Sequence, residues 1–273
     1  MKPAAFDYCA AASVADAVDF LAMHAGAAKC VAGGQSLGPM LNMRLVRVAG
    51  LVDISRVDAL RRVEARGDVT RIGAAITHAE IEDGDVDDPT GGWLKAAAAN
   101  IAHRAVRNRG TIGGSLAHAD PAADWCLVMT GLGAHAVVAR AGGEERIALD
   151  EFITGPFTTV LGDQDLLLGV DVPKPGRRAA WGYWKFARQV GEFAKASAAV
   201  LIDPDNDHFR CVVGALGRQP LVLANARALI DGRLDPRDAL ESALANRPAP
   251  ELTLHVAALD RALAQARSTE AGA

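Results

Sequence analysis

Two glycine-rich stretches constrain this chain more than any other feature of its sequence. Residues 31–39 read VAGGQSLGP, which we call loop 1, and residues 110–118 read GTIGGSLAH, which we call loop 2. Each pairs two adjacent glycines with a hydroxyl side chain. A Gly-Gly step lets the backbone approach a ligand closely, and its N–H groups can converge on an anion. Because the two loops are far apart in the sequence, they predict one elongated, phosphate-bearing ligand that is held from two sides.

The residues around loop 1 predict a small unit of alternating strands and helices. A short apolar strand at residues 29–32 leads into the loop, a helix follows from Ser36, and a second strand covers residues 51–54. This order is typical of a nucleotide-binding unit in which a helix begins beside the ligand. The ligand is therefore expected where the first strand ends.

The rest of the chain divides at residues 173–176, which contain two prolines and a glycine and are the best candidate for a linker. Predicted strands cover residues 71–74, 135–139, 165–172, 181–187 and 211–216. Predicted helices cover residues 94–101, 235–246 and 252–266, and an apolar segment covers residues 125–132. A capping-box pattern at residues 77–80 predicts the start of a further helix. The sequence therefore predicts three parts, at residues 1–56, 57–173 and 177–273.

Composition excludes several classes of function. The chain has 273 residues and a formal net charge of −4, so it lacks the basic field that attracts nucleic acid. It has no run of about 18 apolar residues that would span a membrane, and no apolar leader near its N-terminus. The spacing of its cysteines fits neither a zinc site nor an iron–sulfur cluster and predicts reduced thiols in a cytoplasmic protein. These cysteines are Cys9, Cys30, Cys126 and Cys211.

Loop 1 has two interpretations. In the first, the backbone N–H groups of residues 33–37 bind phosphate and Ser36 adds a hydroxyl donor. In the second, the loop is a tight strand-to-helix turn that is capped by the serine. The loop contains neither the Gly-Lys-Ser/Thr core of a Walker motif nor the G-x-G-x-x-G of a Rossmann fold. A phosphate would therefore be held by a different geometry.

Loop 2 leads directly into the polar segment HADPAAD at residues 118–124. The carboxylate of Asp124 suits the sugar-like hydroxyls that adjoin a pyrophosphate, as acidic residues do in dinucleotide-binding folds. An alternative is a hydrolytic metal site made of His118, Asp120, Asp124 and His103, although their spacing matches no established metal motif. His118 alone also fits a structural, hydrogen-bonded histidine.

A third cluster, YWKFARQVGEFA at residues 183–194, concentrates aromatic residues in a chain that is only 5% aromatic. Lys185 in this cluster has the chemistry to place a cation beside an electron-rich ring. The alternative is an amphipathic strand whose lysine and arginine side chains extend to solvent.

These three motifs together resemble the FAD-binding medium subunit of the molybdenum hydroxylases, the group that includes carbon monoxide dehydrogenase and xanthine dehydrogenase. Residues 32–37 with Pro39 and Arg44 resemble the first flavin loop of that family. Residues 101–103 and 107–115, continuing to Asp124, resemble its second flavin loop, and residues 185–194 resemble the start of its C-terminal domain. The resemblance covers nearly the whole chain.

The resemblance implies an α+β fold: a two-lobed FAD-binding unit of the PCMH type, followed by a small α/β C-terminal domain of the carbon monoxide dehydrogenase flavoprotein type. Loop 1 would wrap the FAD pyrophosphate, Ile112 would lie near the flavin ring and Asp124 would hold a hydroxyl of the FAD chain. Leu168 would pack on the flavin region, and Lys185 would approach the pyrimidine end of the ring. The full set of implied cofactor residues is Lys29, Val31, Ala32, Gly33, Gly34, Gln35, Ser36, Leu37, Ile101, Ala102, Thr111, Ile112, Gly114, Ser115, His118, Asp124, Leu168 and Lys185.

The resemblance also implies an oxidoreductase assembled from several chains, in which this chain carries no residue for acid–base chemistry on the substrate. A large subunit would hold a molybdopterin-type cofactor, and a small subunit would hold two [2Fe-2S] clusters. Electrons would pass from those clusters to FAD on this chain and then to an external acceptor, in a cytoplasmic dimer of heterotrimers. The alternatives left open by the residues themselves are the metal-dependent hydrolase and a nucleotide-binding scaffold without redox activity.

Overall fold

The computed structural model describes residues 2–245 and 247–270 and contains three main β-sheets, each with its own helices. The first sheet is parallel, in the order β1-β3-β2. Its elements are β1 (Asp7–Ala10), α1 (Val14–Met23), β2 (Ala28–Val31), α2 (Leu37–Asn42) and β3 (Gly50–Asp53). Because the strands are parallel, their carboxyl ends meet at one edge, and loop 1 begins at that edge.

The second sheet is antiparallel, in the order β4-β5-β10-β6-β7. Its strands are β4 (Val63–Arg66), β5 (Val69–Gly73), β6 (His135–Arg140), β7 (Gly143–Ala148) and β10 (Leu166–Pro173), and β8 (Ile153–Gly155) pairs separately with β9 (Thr158–Thr159). Its helices are a 3₁₀ turn at Asp58–Arg61, α3 (His78–Asp83), α4 (Trp93–Ala99), α5 (Arg104–Arg107), α6 (Ile112–His118), α7 (Asp124–Gly131) and α8 (Leu149–Phe152). Loop 2 lies between β5 and β6 in the sequence and includes all of α6 with the two residues before it.

The third sheet is antiparallel, in the order β11-β12-β13-β14. Its elements are β11 (Ala180–Phe186), β12 (Ala196–Asp203), β13 (His208–Gly214), β14 (Leu221–Val222), α9 (Ala226–Ile230), α10 (Pro236–Glu241) and α11 (Ala249–Glu270). Every residue of β12 is buried. The long helix α11 lies along β11, where the side chain of Gln265 accepts a hydrogen bond of 3.0 Å from the Tyr183 amide.

The hydrophobic core of the second sheet continues into the third. Helix α7 is buried along its whole length, and Tyr183, Leu201 and Val212 of the third sheet belong to the same apolar cluster. Trp93 of α4 stacks on Trp181 of β11, with ring centroids 5.6 Å apart. The C-terminal sheet is therefore packed against the part of the chain that carries loop 2.

This architecture confirms the α+β class and most of the predicted elements, including the strands that flank loop 1. Three predicted details are wrong. Helix α2 ends at Asn42, so Leu45 lies outside this helix and is exposed. Helix α10 ends at Glu241, whereas the predicted helix continued to residue 246, which lies outside the described residues. Lys185 does not extend to solvent from an amphipathic strand, because its side chain is buried. The division at residues 56 and 173 stays a prediction, which the three sheets support.

Among the described residues, all four cysteines are free thiols; Cys126 and Cys211 are buried, and Cys9 and Cys30 are partly buried. No helix in the described ranges combines the length and the apolar character needed to cross a bilayer.

Candidate functional site

The two glycine loops meet backbone to backbone. A Cβ atom built on Gly33 of loop 1 would lie 2.1 Å from the carbonyl oxygen of Arg109 and 2.7 Å from the Cα atom of Gly110. Both distances are far below van der Waals contact, so only glycine fits at position 33 while the loops remain together. The first and second sheets thus bring their two loops into one site.

Loop 1 leaves a row of backbone donors open. The Gly38 amide donates to the Gly34 carbonyl at 2.9 Å, and the side-chain amide of Gln35 donates to the Gly33 carbonyl at 3.0 Å. Within the described ranges, no backbone amide from residue 33 to residue 37 donates to another group of the chain. Gly34 has a φ of +69°, a left-handed conformation that favours glycine and that occurs in anion-binding nests of successive amides. This segment has the character of an anion-binding nest.

The Ser36 side chain separates the two interpretations of loop 1. Ser36 precedes α2, but its hydroxyl makes no capping hydrogen bond, and the residue is exposed. A serine that served only to cap the helix would bond to an amide of the first turn. The hydroxyl is therefore available to a ligand together with the open amides.

Loop 2 uses its backbone donors internally. The Ile112 amide donates to the Ile76 carbonyl and the Gly113 amide to the Ala74 carbonyl, both at 3.0 Å. The Gly114 amide donates to the Thr111 hydroxyl, also at 3.0 Å. The side chains of Thr111 and Ile112 are buried. Loop 2 is consequently a rigid wall whose exposed surface at the start of α6 comes from Gly114 and the half-buried Ser115.

The predicted cofactor residues differ widely in exposure. Lys29, Gln35, Ser36 and Gly114 are exposed, and Gly33, Thr111, Ile112 and Asp124 are buried. The others are half-buried: Val31, Ala32, Gly34, Leu37, Ile101, Ala102, Ser115, His118, Leu168 and Lys185. Ala32 of loop 1 and Leu168 of β10 pack on the same apolar cluster, which places β10 beside the first loop. Their contacts with a cofactor stay predictions.

Asp124 and Lys185 contact each other. The Lys185 Nζ atom lies 2.9 Å from Asp124 Oδ2 and donates a second bond of 2.9 Å to the carbonyl of Asn100, at the C-terminal end of α4. The Tyr183 hydroxyl donates to Asp124 Oδ1, so both oxygens of the carboxylate have protein partners. Burial raises the pKa of Asp124, and the positive charge of Lys185 opposes that rise. The three side chains form one buried unit that joins α7 to β11.

Two further residues, His78 and Arg107, support the loops, and the sequence predicted a supporting role for neither of them. His78 is buried at the start of α3; its amide donates to the Gly110 carbonyl at 2.9 Å, and its Nδ1 atom accepts a 3.0 Å bond from the Trp125 indole. Burial, and to a lesser extent the positive charge of Arg107, lower the pKa of His78 to about 4, so the ring is neutral near pH 7. The capping-box pattern at residues 77–80 could locate the helix but not this role.

Arg107 fixes the segment before loop 2. Its Nη1 atom donates to the carbonyls of Ile101, at 2.9 Å, and Ala102, at 3.1 Å, while its Nε atom pairs with Glu82 at 2.7 Å. Ala102 has a φ of +43°, which is unfavourable for a residue with a side chain. The two bonds from Arg107 hold this conformation in place, and a pattern of nearby charges in the sequence does not reveal such contacts.

The alternative metal site finds no support in the geometry. His118 packs against Phe157, with ring centroids 5.1 Å apart, and Asp120 accepts a 2.8 Å hydrogen bond from the Ala122 amide. Asp124 is held by Tyr183 and Lys185. In the part of the chain that the structure describes, no group of three or more His, Cys, Asp or Glu side chains is arranged to hold a metal ion.

Comparisons with known proteins agree with one another. Residues 4–175 match the family model described as the FAD binding domain in molybdopterin dehydrogenase. The chain is 37% identical to the medium subunit of nicotine 6-hydroxylase from Paenarthrobacter nicotinovorans, over 80% of this chain and 76% of that protein. It is 30% identical to the medium chain of carbon monoxide dehydrogenase from Hydrogenophaga pseudoflava, over 89% of this chain and 86% of that one.

The fold also matches a solved structure over almost its full length. This is a chain of a carbon monoxide dehydrogenase from Hydrogenophaga pseudoflava that lacks the Mo-pyranopterin moiety of its molybdenum cofactor. The TM-score is 0.89 at 28% identity, with 98% of this chain and 99% of that chain covered. The match therefore includes all three sheets.

Proposed function

This chain belongs to the family of FAD-binding domains of molybdopterin dehydrogenases, and from that premise we propose that it holds FAD between loops 1 and 2 as the electron-transfer subunit of a molybdenum hydroxylase. The family consists of subunits of oxidoreductases. The observation that carries the proposal is the contact of Gly33 with Arg109 and Gly110, which joins a nest of open amides to the start of α6.

The residues present fit the cofactor. The open amides of residues 33–37 and the free Ser36 hydroxyl suit the pyrophosphate, because both donate hydrogen bonds to anionic oxygens. We assign Ala102, Gly114, Ser115 and His118 to the lining of the cofactor, since each is at least partly exposed beside loop 2. Thr111 and Ile112 contribute by shaping the wall from within.

Lys185 supplies a fixed positive charge at this site. An ammonium group carries three donors, and Lys185 uses two of them, on Asp124 and Asn100. The third is left for a ligand, and Asp124 holds the ammonium group in position. Asp124 then serves the cofactor mainly through Lys185, which modifies the direct hydroxyl contact that its sequence position implied.

When bound, FAD supplies the redox chemistry, receiving electrons from [2Fe-2S] clusters of a partner and releasing them to an external acceptor. Two of the similar proteins are named medium subunit or medium chain, which supports an assembly of several different chains. We propose a large molybdopterin subunit and a small [2Fe-2S] subunit as partners, in a cytoplasmic dimer of heterotrimers. The organic substrate would be chosen by the large subunit.

The decisive experiment alters the loop contact and measures bound flavin. In Gly33→Ala the new methyl group would meet the backbone at Arg109, so we expect FAD content to fall at least about tenfold. Ser36→Asp places a negative charge on an exposed residue of the nest and should repel the pyrophosphate without disturbing the core. FAD is quantified by absorbance after purification and reconstitution, with circular dichroism to verify folding.

Two matched variants control for these changes. Gly142→Ala adds the same methyl group in the β6–β7 turn, where a Cβ atom meets nothing within 4 Å, and Ser242→Asp adds the same charge after α10. Both should retain full FAD content. Normal FAD content in a folded Ser36→Asp variant would contradict the assigned site. Bound flavin that dithionite cannot reduce, or that no dye or oxygen reoxidises, would favour the scaffold without redox activity.

A further inference from the structure

Three arginines lie just before loop 2, and they differ in their partners. Arg104 pairs with Glu82, at 3.1 Å, and with Asp83, while Arg107 pairs with Glu82 at 2.7 Å. In the described part of the chain, Arg109 takes part in no ion pair and in no side-chain hydrogen bond, and the residue is exposed. Arg109 is therefore a cation whose donors the protein itself does not use.

The backbone of Arg109 lies at the junction of the two loops. Its carbonyl carbon would be 2.6 Å, and its carbonyl oxygen 2.1 Å, from a Cβ atom on Gly33. The residue that follows is Gly110, the first residue of loop 2. An arginine side chain that starts here can reach a ligand lying between the two loops.

The pKa of Asp53 responds to the positive charge of Arg109. Burial raises the pKa of Asp53. Hydrogen bonds from Ser55 and Tyr8 and the positive charge of Arg109 lower the pKa by more than this, so that it lies below its usual value. Asp53 ends β3, where it is in register with Val31, the first residue of loop 1. The positive charge of Arg109 therefore acts on a carboxylate at the edge of the first sheet where loop 1 begins.

Within the described residues, Asp53 forms no ion pair or hydrogen bond with Arg109, because both of its oxygens have other partners. One carboxylate oxygen accepts a 2.8 Å bond from the Ser55 amide and the other a 2.9 Å bond from the Tyr8 hydroxyl. The nest of loop 1 offers hydrogen bonds but no net charge, and the chain as a whole has a formal net charge of −4. An anionic ligand in the nest needs a nearby cation, and a guanidinium presents several donors in a plane that matches phosphate oxygens.

We propose that Arg109 is a pyrophosphate-binding residue, which closes the nest of loop 1 from the side of loop 2 and supplies the positive charge that the amides lack. This inference rests on the proposed function, since it assumes FAD between the loops. It assigns to the junction of the loops a charged contact in addition to the open backbone donors of loop 1.

The test measures FAD affinity by quenching of flavin fluorescence, using the full chain from which flavin has been removed. Arg109→Met keeps an unbranched, flexible side chain but removes the charge and the donors, and should weaken FAD binding about tenfold at low salt. Because the lost contact is electrostatic and partly exposed, the difference from the wild type should shrink between about 0.05 M and 0.5 M NaCl. Arg109→Lys should recover part of the affinity, since it restores the charge without the planar donor set.

Arg237→Met controls for the loss of one exposed arginine, because Arg237 lies on α10 in the third part of the chain. It should bind FAD as the wild type does. Equal affinity of Arg109→Met and the wild type, or a difference that salt does not reduce, would overturn the inference while leaving the FAD site intact. Failure of the wild-type chain itself to bind FAD would refute the proposed function and the inference together.

Discussion

His78 is an uncharged hydrogen-bond acceptor in the core beneath loop 2. Its side chain is 5% exposed, its Nδ1 atom accepts the indole proton of Trp125, and its amide holds the Gly110 carbonyl. Acceptance of that proton requires the unprotonated nitrogen. A proton on His78 would therefore break the contact and place a charge in the core, next to the segment that positions loop 2.

Stability should consequently depend on pH through His78. The folded chain holds the pKa of His78 near 4, below its ordinary value of 6.5, so the unfolded chain binds the proton first as the pH falls. The free energy of unfolding is then greatest above pH 6.5 and decreases toward pH 4. Between pH 7 and pH 5 this residue should account for about 2 kcal/mol.

Urea unfolding of the wild type and of His78→Gln, at pH 7 and pH 5, measures that contribution. The variant should lose about 2 kcal/mol less than the wild type between the two pH values. His103→Gln, on an exposed histidine, should follow the wild type. Equal losses in His78→Gln and the wild type would show that the histidine does not titrate in this range.

Residue identities in the sequence indicated the chemistry of the site but not its pairing. Lys185 and Asp124 were each predicted to serve a cofactor, and they are 61 positions apart in the chain, yet each is the principal partner of the other. Arg109 lies in the segment that resembles the second flavin loop, but the sequence does not show that Arg104 forms ion pairs with acidic residues and that Arg109, within the described residues, forms none. Such contacts depend on how distant strands and helices pack, and a single sequence does not record that packing.

At the scale of elements, α3 and α6 begin side by side. Thr77 caps α3 in a capping box with Glu80, Thr111 caps α6, and the two threonines are joined by an antiparallel β-bridge. The pattern of Thr77 and Glu80 was visible in the sequence, and the structure confirms it. The coupling of the two helix starts was not visible, because it requires β5 to end beside loop 2.

Thr111 is therefore expected to act mainly as a helix cap. Thr111→Ala removes the acceptor of the Gly114 amide and should lower the free energy of unfolding by about 1 kcal/mol, whereas Thr111→Ser keeps the hydroxyl and should cost less. Thermal and urea unfolding of the flavin-free chain measure both changes. A loss of FAD binding with unchanged stability in Thr111→Ala would instead show direct contact of the hydroxyl with the cofactor.

Sequence periodicity located the elements that alternate or have clear ends, and it failed for others. β12 went unpredicted because its eight residues are all buried and lack the alternation of a half-exposed strand. Helix α2 was predicted too long because Leu45 continues the apolar spacing, although Asn42 ends the helix and Leu45 is exposed. In both cases the packing of neighbouring elements decided what the local pattern left open.

At the scale of the whole molecule, the C-terminal sheet is attached beside loop 2 by the unit of Asp124, Tyr183 and Lys185. Asp124 begins α7, which follows loop 2, and the other two residues lie on β11. Trp93 and Trp181 stack across the same boundary. The sequence predicted a division into three parts, but this attachment is known only from the structure.

The attachment should be measurable as a coupling energy between Asp124 and Lys185. Their side chains are 6% and 8% exposed, so either single change, Asp124→Asn or Lys185→Met, leaves a buried polar group without its partner and should cost about 3 kcal/mol. The double variant should cost about 2 kcal/mol less than the sum, because the second change removes a group that the first had already left unpaired. Urea unfolding of the four full-length chains, all without flavin, gives this cycle.

The exposed pair of Arg227 and Asp207 is the control. The substitutions Asp207→Asn and Arg227→Met should show a coupling below about 1 kcal/mol. A coupling in the buried pair no larger than in this surface pair would show that the pair does not hold the C-terminal sheet in place, and Asp124 would then be free to bind a cofactor hydroxyl directly.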